Sequence, residues 1–204
     1  RNQTEWSLPH ELGHQLGLTD WYNLDFPGDE RFTWADNGAK IAHFMTFPNQ
    51  MMHWHGPHLW GEVDAANLSR TWNKPRGYFG DHHFAMPEEN FVKILDVNGL
   101  GVPNAKIEIF QRGATVDTSK AGGTDHGVQW FPLVENGDFH SRLSEKPVIV
   151  GQTDADGTIR LPNRPVAGVR TLSGYERKPN PFGNLNVVLQ RGLMLMKATV
   201  GDRS

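Results

Sequence analysis

The stretch Pro9-His10-Glu11-Leu12-Gly13-His14-Gln15-Leu16-Gly17-Leu18-Thr19-Asp20 has the pattern H-E-x-x-H-x-x-G-x-x-D. Residues four apart on a helix share a face, so His10 and His14 aim two imidazoles at one ion, with Glu11 beside them. Leu12 and Leu16, also four apart, fall on roughly the opposite face, where the spacing predicts burial against a core. Gly17 lacks a Cβ and suits the left-handed conformation that ends a helix. A chain that reverses there brings Asp20 to the same ion as a third, oxygen ligand. Two imidazoles and one carboxylate leave a fourth position open, which is the pattern of a catalytic zinc site and not of a closed structural one. The competing reading is an exposed amphipathic helix that happens to carry two histidines.

This stretch resembles the zinc signature of the metzincin-type metallopeptidases. Most metzincins have His as the third ligand. Asp at that place is similar to snapalysin and the immune-inhibitor-type secreted peptidases, whose run continues G-L-P-D-x-Y-D. Gly17-Leu18-Thr19-Asp20-Trp21-Tyr22-Asn23 follows that shape, with Thr19 in place of Pro and Asn23 in place of Asp. The resemblance implies a secreted or extracellular zinc endopeptidase acting on protein or peptide substrates. It implies zinc on His10, His14 and Asp20, with Glu11 as the catalytic general base.

Metzincins also place a tight turn containing Met beneath the metal. Pro48-Asn49-Gln50-Met51-Met52 is the best match, with Met52 favoured as the floor residue ahead of Met51 and Met45. Many members carry Tyr two residues after that Met, where it stabilises the oxyanion. Trp54 stands at that place, and its indole is a donor only. His53 and His55 are then the candidates for oxyanion or substrate contact. In metzincins a twisted sheet precedes the active helix, and its edge strand pairs with the extended substrate. With the motif starting at His10, the resemblance implies that the chain is a fragment or processed product. It implies too that the chain alone turns over little substrate.

The chain has 204 residues, room for one large or two small domains. A formal net charge of -3 carries no nucleic-acid footprint. No apolar run reaches membrane-spanning length. Cysteine is absent, so no disulfide supports the fold, and that absence assigns no compartment. The 22 glycines, 13 prolines and 7 tryptophans suit a strand- and loop-rich protein more than a helical bundle.

The order of parts divides the chain into a metallopeptidase catalytic region over 1–75, a linker over 76–89 and a β-sandwich over 90–204. The active helix is predicted from about Leu8 to Leu16, capped by Thr4 or Ser7. Asp25, Asp29, Glu30 and Asp36 lie in a loop whose spacing matches no calcium-binding loop; a solvated loop is the expectation and Ca2+ the alternative. Leu59 to Trp72 reads as a second helix with Leu59, Val63, Ala66, Trp60 and Leu68 on its apolar stripe. Metzincins close their catalytic domain with such a helix.

From Asn90 onward the chain turns to short strands between turn signals. Phe91 to Val97, Ala105 to Phe110, Val128 to Val134, Val148 to Gln152, Thr158 to Leu161, Leu185 to Leu189 and Leu193 to Val200 are the candidates. The pieces Asp96-Val97-Asn98-Gly99, Val102-Pro103-Asn104-Ala105-Lys106-Ile107 and Thr153-Asp154-Ala155-Asp156-Gly157 resemble carboxypeptidase-regulatory-like and prealbumin-like repeats. Asp154 and Asp156 are read as a plain hairpin turn, with calcium the weaker alternative. The expected class is α+β: the helical C-terminal part of a metzincin-like catalytic domain followed by an all-β antiparallel sandwich. A function of a different class is a non-catalytic secreted or cell-surface binding or adhesion module with a vestigial metal site.

Overall fold

The computed structural model describes residues 7–16, 18, 26–27, 43–44, 61–71, 87–111, 114–117, 119–120, 122–135, 143–166, 178–183 and 194–201. Asp20, Met52, His53 and His55, the loop over 20–40 with its calcium alternative, and the strand expected over 185–189 lie outside the described residues or largely so. The structure is mostly β: two helices accompany eleven strands among the described residues, and every strand pairing is antiparallel.

Helix α1 (Ser7–Gln15) is followed by β1 (Phe26–Pro27) and β2 (His43–Phe44), which pair with each other. Helix α2 (Glu62–Thr71) comes next. Its first turn is closed by Gly61, whose N–H donates to Asp64 Oδ2 at 3.3 Å. That is the reciprocal half of a capping box, in which the third helical residue reaches back to the cap. Of the apolar stripe predicted here, Leu68 is half-buried and Ala66 is exposed. Asp64, one turn before Leu68 on the same face, is fully buried.

The remaining strands are β3 (Asn90–Lys93), β4 (Lys106–Gln111), β5 (Ala114–Val116), β6 (Gly123–Asp125), β7 (Val128–Trp130), β8 (Leu133–Glu135), β9 (Ile149–Gln152), β10 (Thr158–Leu161) and β11 (Met194–Thr199). Five form one sheet in the order β11-β4-β9-β7-β6; β3 pairs with β10 and β5 with β8. Burial alternates along the first part of β4 and ends at Phe110, which is buried too. Lys106 and Glu108 share one face and form an ion pair at 2.8 Å, while Ile107, Ile109 and Gln111 are buried on the other. One apolar cluster joins Ile107 and Ile109 of β4, Val128 of β7 and Ile149 of β9 to Ile159 of β10, with Val92 of β3 packed against it. The β3–β10 pair therefore covers the five-stranded sheet, an arrangement compatible with a sandwich. Gly151 makes the approach close: a Cβ there would stand 2.7 Å from Ile159 Cδ1 and 3.1 Å from Val128 Cγ2.

Three expectations change. The single strand read over Val128 to Val134 is two strands, because Pro132 lacks an N–H for the ladder. Its halves join different partners, β7 pairing with β6 and β9, and β8 with β5. The Asp154 turn is not a hairpin: β9 and β10 do not pair with each other, and the turn carries the chain from the five-stranded sheet to β3. The strand expected to reach Val97 stops at Lys93: Ile94 N–H donates to Gly157 O in the turn before β10, and Asp96 N–H donates to Leu100 O within its own turn, each at 2.8 Å.

Two polar clasps fix the β-rich part. Thr153 Oγ1 accepts from Ala105 N–H at 2.9 Å and donates to Val102 O at 2.7 Å. Arg164, buried at the far end of β4, donates from Nε to Pro181 O at 2.7 Å and from an Nη to Gln111 Oε1. Gln111 in turn donates to Phe182 O at 3.1 Å. Burial lowers the Arg164 guanidinium to a pKa of about 10.

Candidate metal centre

Helix α1 has only nine residues, short for stability in isolation, so its end must be tied down. Leu16 N–H donates to Leu12 O at 3.1 Å and to Gly13 O at 3.0 Å. Leu18 N–H donates to the same Gly13 carbonyl at 3.0 Å, a bond spanning five residues of the kind that closes a helix end. Leu18 itself is buried, 2 % exposed.

This closure returns the backbone toward the helix. The Leu18 carbonyl lies 3.0 Å from His14 Nδ1, and a carbonyl only accepts, so Nδ1 carries the proton. The lone pair of His14 is thereby left on Nε2. Ligand histidines characteristically donate their second ring N–H in this way. His14 is buried, His10 half-buried and Glu11 exposed. The two rings meet edge to face, with centroids 5.0 Å apart and planes at 88°. One donor atom from each of His10, Glu11 and His14 lies within 4.8 Å of the others. Among the described residues this is the group of three or more His, Cys, Asp or Glu side chains drawn together in this manner.

The residues present suit zinc: two imidazoles, one of them oriented by a backbone carbonyl, and a carboxylate at the rim. Of the predicted set, His10, Glu11 and His14 converge, while Asp20, Met52, His53 and His55 lie outside the described residues. Leu12 and Leu16 depart from expectation, being 54 % and 36 % exposed. The leucine that is buried is Leu18, beyond the helix. The Leu18 carbonyl was not foreseen as part of the site, because a backbone acceptor leaves no side-chain signature; the glycine at 17 was its one signal. The Asp154 and Asp156 pair gathers no third ligand among the described residues. Asp154 Oδ1 accepts from Asp156 N–H and Thr158 N–H, each at 2.9 Å, and so is engaged in its own turn.

Comparison of the chain with protein-family models, with curated proteins and with solved structures finds no match in any of the three. No helix among the described residues is long and apolar enough to cross a membrane.

Proposed function

We propose that the chain belongs to a secreted zinc endopeptidase of the metzincin type, with His10, His14 and Asp20 as ligands and Glu11 as general base. The observation that supports this reading is the convergence of His10, Glu11 and His14 within 4.8 Å on one short helix. Zinc bound there supplies a Lewis acid and a water whose pKa falls to about 7. Glu11, exposed at the rim, takes the proton of the attacking water and returns it to the leaving amine nitrogen. His10 and His14 would each give one ring lone pair to the ion. The Leu18 carbonyl holds His14 in the tautomer that permits this. In this reading α2 closes the catalytic region, Met52 floors the metal, His53 or His55 meets the oxyanion, and the β-rich part is an accessory sandwich.

A second reading has one observation in its favour. Phe91, Leu95, Val97 and Leu100 are all more than half exposed on or just after β3, which suits a binding module that uses its metal only structurally. The two are separated by loading the chain with zinc and measuring hydrolysis of an unfolded protein substrate, beside Glu11→Gln. Zinc-dependent cleavage lost in Glu11→Gln supports the peptidase. Cleavage unaffected by that change contradicts the role given to Glu11. Zinc bound by both forms with no cleavage by either, in the full natural protein as well as in this chain, favours the binding module.

A further inference from the structure

Asn98 and Gly99 sit at the tip of the turn that follows β3, and both are exposed. Gly99 has φ +79°, and nothing lies within 4 Å of where a Cβ would be. An asparagine followed by glycine is chemically labile. The Gly99 nitrogen, unhindered by a side chain, loses its proton to base and bonds to Asn98 Cγ, and Nδ2 leaves as ammonia. Water then opens the succinimide at either carbonyl, leaving aspartate or isoaspartate at position 98. No electrons are transferred.

Each reacting group is engaged by Asp96. Gly99 N–H, which must lose its proton, donates to Asp96 O at 3.0 Å. The leaving amide, Asn98 Nδ2, is 3.5 Å from Asp96 Oδ2. Asp96 Oδ1 accepts from Asn98 N–H and Leu100 N–H, each at 2.9 Å, and so fixes the backbone around the bond that would react. The Asp96 negative charge close by also opposes formation of a second anion on the Gly99 nitrogen. We propose that Asn98–Gly99 is a latent deamidation site, held closed by Asp96 and opened when this turn opens.

The Asp154 turn repeats the arrangement around Asp156–Gly157, with Gly157 N–H donating to Asp154 O at 3.0 Å. Gly157 is buried, however, and its carbonyl accepts from Ile94 N–H at 2.8 Å. The Asn98 tip has no such cover and is the place where opening leads to chemistry. Isoaspartate at 98 adds one carbon to the main chain between Asp96 and Leu100. That separates Asp96 N–H from Leu100 O, now 2.8 Å apart, and the bridge between Leu95 and Gly101 that follows it. The reaction thus converts a transient opening into permanent loss of one corner of the β-rich part.

Peptide mapping by mass spectrometry, with an isoaspartate-specific methyltransferase assay, tests this at mildly alkaline pH. Asn98 in the folded chain is expected to react at least about tenfold more slowly than in a synthetic peptide of residues 94–102. Asp96→Ala is expected to bring the folded-chain rate most of the way to the peptide rate, with Asp96→Asn in between. In the unsubstituted chain, low urea is expected to raise Asn98 loss and Gly99 amide exchange in parallel. Equal rates in chain and peptide would overturn the proposal. So would an unchanged rate in a folded Asp96→Ala chain, or urea acceleration of amide exchange without acceleration of deamidation.

Discussion

His14 Nδ1 donates to the carbonyl oxygen of Leu18 at 3.0 Å, and Leu18 N–H closes the same helix end on Gly13. One residue therefore ends the helix and orients the buried imidazole. Leu18→Ala removes the side chain that anchors this residue without touching a ligand. Loosening such an outer contact is expected to weaken zinc binding by about tenfold or more. Competition with a chromogenic chelator measures it; an affinity equal to that of the unsubstituted chain would show that His14 is oriented by something else.

Thr153 is 3 % exposed and its hydroxyl serves both Ala105 N–H and Val102 O. Thr153→Val keeps the shape and leaves the buried Ala105 N–H and the part-buried Val102 carbonyl without that partner. It is expected to lower stability by about 1–3 kcal/mol, read from urea unfolding of the β-rich part. A change near zero would mean that Ala105 and Val102 find other partners at no cost.

Gly157 has φ +75°, and a Cβ there would stand 2.5 Å from Val102 N and 2.6 Å from Ile94 O. Both neighbours are backbone and have no side chain to swing aside. Gly157→Ala is expected to cost at least about 2 kcal/mol. The same change at Gly99, which shares the left-handed φ but has open space around it, is expected to cost less. Thermal melts of the two variants compare them directly, and a reversed order would contradict the packing of the two turns on each other.

Asp96 is held below the ordinary carboxylate value of 3.8, first by Leu100 N–H, which outweighs the opposing desolvation, and then by Asn98. Its folded-state pKa is thus lower than its unfolded one. In the window below 3.8 the unfolded chain binds more protons, so this contribution is complete above that pH and is lost as pH falls through the folded value. Melting temperatures of the unsubstituted chain and of Asp96→Asn are expected to differ at neutral pH and to converge in acid. A difference that persists at the acid end would assign the turn's stability to something other than the Asp96 charge.

The helix that brings His10 and His14 together was legible because a spacing of four residues has one geometric meaning on a helix, whatever surrounds it. The side of that helix facing away from the histidines was not: Leu12 and Leu16 have the right period for a core, but period does not say whether a core lies opposite. In the β-rich part, Thr158 to Leu161 was read to the residue, bounded by Asp156-Gly157 on one side and Pro162 on the other. The strands at Ala114–Val116 and Gly123–Asp125 escaped notice because three residues, one of them glycine in the latter, carry no period. The Arg164 clasp joins residues from three separate parts of the chain, and no local pattern announces a contact of that kind.

The most direct test of the metal centre is elemental analysis of the zinc-loaded, dialysed chain beside its His14→Ala variant. About one zinc per chain is expected for the former and a small fraction of that for the latter. No zinc in either, or the same content in both, would contradict the assignment of His10 and His14 as ligands and with it the peptidase.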